Sequence, residues 1–348
     1  MTFQELNEKL GGLEIESDWS IHPNGGGWVH KNAGVDASAF VGPDACVFGT
    51  ARVYGNARVC DYARVFGNAQ VSGNAKVYGA AHVFGNAQVY DAAQVFGNAQ
   101  VCDYAQVFGN AKVFGNAQVY DAARVYGNAK VYDYAQVFGN AKVSGNAKVY
   151  DDARVFGNAH VFGNAKGYDD AQVYGNAHVC DDAQVFGNAK VSGNAQVYDD
   201  ARVFGNAKVY DYARVFGNAK VFGNAQVYGD AKVFGNAQVY GDAEVSGNAQ
   251  VYGDAEVCGD AEVYGYAQIL GDAWDKSPLY IVGTLYAVYQ PRRGHIKIGC
   301  RCEPSEWWTT EAVVQLARDT SFTDAQIAEY KLYIDLFIAR EKQMKPSN

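Results

Sequence analysis

From Val29 to Trp274 the chain repeats every six residues without an insertion or a deletion. The first position of the repeat is Val in every unit except Gly167 and Ile269, and the fifth is Ala in all 41 units, from Ala33 to Ala273. Val137-Phe138-Gly139-Asn140-Ala141-Lys142 is typical. Read from the Ala, a strand of Ala, a polar residue, Val and an aromatic is followed by a two-residue turn. Alternation along a strand sends Ala and Val to one face and the polar and aromatic residues to the other. The first turn residue is Gly or Asp in 38 of 41 units; Lys31, Ala37 and Pro43 are the exceptions. That position is expected to need a positive φ, which Gly takes freely and Asp tolerates. So short a strand cannot bury a core alone, but stacked copies can.

These residues resemble the hexapeptide-repeat left-handed parallel β-helix family, in which an aliphatic residue recurs every six with a small residue two before it. The resemblance covers residues 29–274. It implies a mainly β fold: a left-handed parallel β-helix with three hexapeptides per triangular coil, about 13–14 coils and a column of about 65 Å. Each buried Val would contribute about 1.5–2 kcal/mol, and Gly167 would leave a side-chain-sized gap in the shaft.

Three segments are expected: an N-terminal cap, 1–28; the repeats, 29–274; and a C-terminal α+β capping module, 275–348. In the first, Thr2 and Glu5 form a capping box, Phe3, Leu6 and Leu10 share one helical side, and Gly11-Gly12 stops the helix. This helix, with Trp19 and Trp28, is expected to cover the first coil. After Trp274, residues 279–289 and 295–299 read as two strands around the turn Pro291-Arg292-Arg293-Gly294. A helix is expected in 305–317, and Thr323 with Gln326 opens another that buries Ile327, Tyr330, Ile334, Phe337 and Ile338. The module resembles one that follows hexapeptide repeats in uncharacterised bacterial and prophage proteins.

If residues 18 apart stack, outward ladders follow. Tyr78, Phe96, Phe114, Tyr132, Tyr150, Tyr168, Phe186, Phe204, Phe222 and Tyr240 form one, with Gln100, Gln118 and Gln136 as its polar neighbours. An apolar strip of that kind marks a contact surface, for self-association or for a protein or glycan partner; its plainer role is to cover the sheet. Another face is expected to carry Lys112, Lys130, Lys148 and Lys166, which repel by about 0.9 kcal/mol per neighbouring pair in water and would welcome a polyanion. Turn aspartates nearby would neutralise them. His160 and His178 stack one coil apart, read as solvated side chains rather than metal ligands. Cys60, Cys102, Cys180 and Cys258 replace aromatics as small apolar residues.

A net charge of −9 argues against nucleic-acid binding. No run of 18 apolar residues is present, so no membrane span is expected. The start lacks the features of a secretory signal, and seven scattered cysteines read as reduced thiols, so a cytoplasmic protein is expected. The family resemblance implies one activity, coenzyme-A-dependent acyl transfer by a trimer with a histidine base. Yet no loop interrupts the repeats, and near-identical units offer little of the asymmetry that a catalytic site needs. The preferred reading is therefore a non-enzymatic rigid structural or binding rod, of bacterial or prophage origin, with no cofactor and no metal. Ice binding lacks its Thr ladders, since Thr50 is the one Thr in the repeats.

Overall fold

A computed structural model describes residues 1–311, 313–314, 317 and 322–343. It shows a parallel β-solenoid of about 14 turns, with 41 hexapeptides at three to a turn. The chain divides into two units, Met1–Asn194 and Ala195–Asn348.

In the first unit three parallel sheets surround the shaft. One is built on Trp28–His30, the second on Gly34–Val35 and the third on Phe40–Val41, and each gains a strand every 18 residues. The regular strands are two residues long, such as Lys112–Val113, where four were expected. The difference follows from where the backbone groups go. Lys112 N–H donates to Ala129 O (2.9 Å) and Phe114 N–H to Val131 O (3.0 Å), both one coil on. Ala117 N–H instead turns back to Phe114 O within its own coil (3.4 Å). Ala therefore belongs to the turn by its donor and to the core by its methyl. From Ala39 to Val191 the inward Ala and Val side chains are 0–1% exposed.

The turn residue behaves as its chemistry requires. Gly67 has φ 67°, and Asp61 and Asp121 each have φ 56°. The aspartates have a second role. Asp121 Oδ2 accepts the N–H of Gly139, the same corner one coil on, at 3.0 Å; Asp61 does the same for Gly79 at 3.0 Å and Asp91 for Gly109 at 3.1 Å. The carboxylate thus satisfies a corner donor aimed back along the stack. The second turn position carries a ladder of its own. Asn110, Asn128, Asn146 and Asn164 pass amide hydrogen bonds along the stack at 3.0–3.3 Å.

The N-terminal helix Phe3–Leu10 has the expected capping box on Thr2 and stops at Gly11, φ 102°. Leu6, 1% exposed, packs with Trp19, Trp28 and Cys46, and Phe3 and Leu10 lie against that cluster. The terminal amine bonds Asp44 at 2.6 Å, and Trp28 Nε1 donates to Met1 O.

The second unit begins with the same coils and ends them by a slip. Val257 pairs with Trp274, 17 residues on instead of 18. Both Gly271 and Asp272 take positive φ (73° and 62°), shortening the path by one residue. Ala273, expected inside as the fifth residue of its repeat, is exposed, and Trp274, 1% exposed, takes the core rung. Arg293 lies over the Trp274 ring, bonds Asp272 through its N–H (2.7 Å) and donates from its guanidinium to Ala273 O (2.9 Å).

Beyond it stands a four-stranded antiparallel sheet: Tyr280–Val282, Ala287–Tyr289, His295–Ile298 and Arg301–Pro304. The single strand expected over 279–289 is in fact two. Gly283 has no room for a side chain, since a Cβ there would meet Tyr330 Oη at 2.7 Å. That hydroxyl accepts the N–H groups of Leu285 and Tyr286 and pins the turn. The fourth strand was not anticipated; Gly299, φ 58°, makes the turn into it. Of the helix expected in 305–317, Trp307–Thr309 is a 3-10 turn, while residues 312 and 315–316 lie outside the described residues. The helix Asp324–Gln343 starts on the Thr323–Gln326 box and buries Ile327, Tyr330, Ile334 and Phe337, with Ile338 packed beside them.

Candidate binding faces

In the first unit the aromatic candidates form one ladder. Tyr78, Phe96, Phe114, Tyr132, Tyr150, Tyr168 and Phe186 follow the successive strands of the Phe40–Val41 sheet. Their ring centroids are 4.7–5.0 Å apart and their planes agree within 5°. All are half-buried. In the second unit Phe204, Phe222 and Tyr240 stack in the same way at 4.9 Å. The strand repeat and the stacking distance of aromatic rings nearly coincide, which is why the ladder is regular. Each interior ring has a ring against both faces.

The lysines are not on another face. Lys112, Lys130, Lys148 and Lys166 pair in register along this same sheet. Each stands two residues before a ladder ring on its own strand, and residues two apart share a side. The tyrosine hydroxyls show the proximity: Tyr168 Oη reaches Gln184, the equivalent polar position one coil on, at 3.4 Å. Gln100, Gln118 and Gln136, expected beside the aromatic ladder, lie instead on the Trp28–His30 sheet. The expected division failed because it assigned each polar residue to the strand before it, whereas the turn closes at Ala.

The four lysines are half-buried. Salt bridges among the described residues are Met1–Asp44, Lys31–Asp18 and Arg293–Asp275, so these lysines have none. The neighbouring corner aspartates are engaged elsewhere: Asp151 accepts Asp169 N–H at 3.4 Å, and Asp169 accepts Gly187 N–H at 3.0 Å. Over the three coils from Lys130 to Asp169 the sheet thus presents three parallel rows: ammonium, aromatic and carboxylate. Burial and the adjoining Tyr132 and Tyr168 push the Tyr150 phenol up to about 12, so the ladder carries no charge of its own at neutral pH.

His160 and His178 pair in register, as expected, with ring centroids 6.2 Å apart. His160 is not simply solvated. It is half-buried, with Nε2 3.0 Å from the buried Ser144 hydroxyl, and burial holds its pKa below the usual imidazole value. No group of three His, Cys, Asp or Glu able to hold a metal occurs among the described residues. Cys60, Cys102, Cys180 and Cys258 are half-buried thiols at aromatic positions, and burial pushes the Cys102 thiol up to about 12. The most exposed aromatics in the coils are corner tyrosines that sequence reasoning passed over: Tyr62, Tyr104, Tyr134, Tyr212 and Tyr266, 56–68% exposed. Their signal was Tyr at the second turn position, directly after the Gly or Asp. In the C-terminal module a cavity of about 1100 Å³ lies between the sheet and the last helix, lined by Tyr286, Arg301, Trp308, Phe322 and Tyr330 among others.

No helix among the described residues is long and apolar enough to cross a membrane. Compared with known proteins, the chain is similar to the YdcK β-solenoid repeat family, whose model matches residues 51–67, 69–85, 105–121, 183–198, 195–211, 225–241 and 237–253. No curated protein matches the chain.

Proposed function

We propose that this β-solenoid repeat protein is a non-enzymatic structural or binding rod, and that it associates side by side with a copy of itself through the sheet bearing Tyr78 to Phe186. The observation that carries the reading is the order of the three rows. A copy facing this sheet across a two-fold axis along the ladder sets ring against ring. The same operation brings Lys130, Lys148 and Lys166 opposite the Asp133, Asp151 and Asp169 corners, a complementarity that needs no second kind of surface. A glycan is less well served, because stacking a sugar needs a free ring face and the interior rings have both faces against neighbours.

The test replaces Phe114, Tyr150 and Phe186 by Ser and measures mass by light scattering, with circular dichroism as the check on folding. A folded variant of lower mass is expected; an unchanged mass refutes the proposal. Replacing the four lysines by Glu is expected to dissociate the assembly with the ladder intact. The acyltransferase alternative has no observation in its favour, and saturable binding of acetyl-coenzyme A in a calorimeter would revive it.

A further inference from the structure

The stack of coils must end, and the last strand on each sheet then shows unpaired main-chain groups. In the interior the outward groups on that side are the Ala O, the Val N–H and the Val O of each strand. At the start of the first unit, residues before the repeat replace the missing coil on two of the three sheets. On the Phe40–Val41 sheet, Asn24 Nδ2 donates to Ala39 O (2.9 Å), Val41 N–H to Asn24 O (3.0 Å) and Gly27 N–H to Val41 O (2.8 Å). On the Trp28–His30 sheet, Trp19–Ile21 adds an antiparallel strand.

The sheet built on Gly34–Val35 receives no such cover. Gly34–Val35 is its terminal strand, paired only to Arg52–Val53. Ala33 O, Val35 N–H and Val35 O have no hydrogen-bond partner among the described residues. The core side agrees with the backbone: Val35 is only half-buried, while the other repeat valines are buried. Ile15 and Ile21, 64% and 61% exposed, lie on the same cap, and Ile15 adjoins Asp18, which binds Lys31 two residues before Ala33.

We propose that the Ala33-to-Val35 edge accepts an extended peptide strand in which apolar residues alternate with lysine or arginine. The main chain supplies two acceptors and one donor in ladder geometry, the unfilled core position beneath Val35 takes an apolar side chain, and pairing with an open edge is a general route to peptide capture. Charge selects the peptide. Residues 13–38 carry Glu14, Glu16, Asp18 and Asp36 against Lys31, and the paired strand adds Arg52 beside Gly34, so acidic groups outnumber basic ones four to two. A basic strand is attracted there, and a second copy of the same acidic edge is repelled.

The probe is a fluorescent peptide of alternating Lys and Val, added to the full-length protein. Saturable anisotropy is expected, with exchange of the Val35 amide slowed about tenfold or more on binding while amides of distant coils are unchanged. A peptide of alternating Glu and Val, and the basic peptide N-methylated at every residue, should not bind. The inference is overturned if the basic peptide does not saturate, if the N-methylated peptide binds equally well, or if the Val35 amide is already protected in the free protein by a second copy. The lateral ladder variants serve as controls, since they leave this edge untouched.

Discussion

Replacing Gly167 by Val should stabilise the protein, although substitutions in a packed core usually do the opposite. Gly167 is buried, occupies the Val position of its repeat, and pairs between Val149 and Val185, each 0% exposed. A Cβ built there meets nothing within 4 Å. The flanking rungs already hold Val at the same place, so the side chain fits the spacing of the stack. Three added carbons at about 0.8 kcal/mol each give about 2.4 kcal/mol. Removing a strand glycine adds about 0.5–1 kcal/mol, and imperfect fit subtracts a similar amount. The expected net gain is about 2 kcal/mol.

Long repeat arrays need not unfold in one step, so a single midpoint is a poor measure. Native-state hydrogen exchange reads the gain locally. Tyr150 N–H donates to Gly167 O at 3.0 Å, and its exchange should slow roughly 30-fold. The contrast is Gly139→Ala. Gly139 has φ 69°, and a Cβ there lies 2.9 Å from Gly157 N, so the smallest possible side chain should cost about 1–3 kcal/mol. If Gly167→Val speeds exchange at Tyr150, or leaves it unchanged, the shaft is not an open, valine-lined column at that coil.

Two further outcomes follow from burial. His160, held below the usual imidazole value by burial and by His178 and Lys142, resists protonation in the folded state; its stability contribution is present above the unfolded value near 6.5 and is lost as pH falls through the folded one. An NMR titration of the ring with its Ser144 and Phe162 neighbours intact should give a midpoint below that of the unfolded chain, and a midpoint at or above it contradicts the packing. Cys46, 2% exposed, has its thiol pushed up to about 12 by burial, whereas Cys300 is exposed; a thiol reagent should modify Cys300 in the native protein and reach Cys46 only on unfolding. Labelling of both at one rate would mean that the N-terminal cap opens freely.

Much of the architecture was legible because it depends on chemistry repeated at short range. Val and Ala every six residues define the inner face, Gly or Asp before the second turn residue marks a positive φ, and the two capping boxes set the starts of the terminal helices. The departures share a different cause. Trp274 looked outward by counting and lies inward because Gly271 and Asp272 bend the chain by one residue. Gly283 looked like a strand residue and makes a turn because the Tyr330 hydroxyl, 47 positions along the chain, collects the N–H groups around it.

The ladders divide along the same line. Periodicity alone specified that aromatic residues 18 apart would stack and that lysines 18 apart would stack. Whether those two rows share a sheet depends on which residue closes the turn, and that is settled by the Ala N–H bonding back to its own coil instead of onward to the next. The open strand at Gly34–Val35 is likewise invisible in the repeat, since its residues follow the pattern of every other coil. It is left bare because residues 19–27 can replace neighbours on only two of three sheets, a matter of how far one short segment reaches across the end of a column.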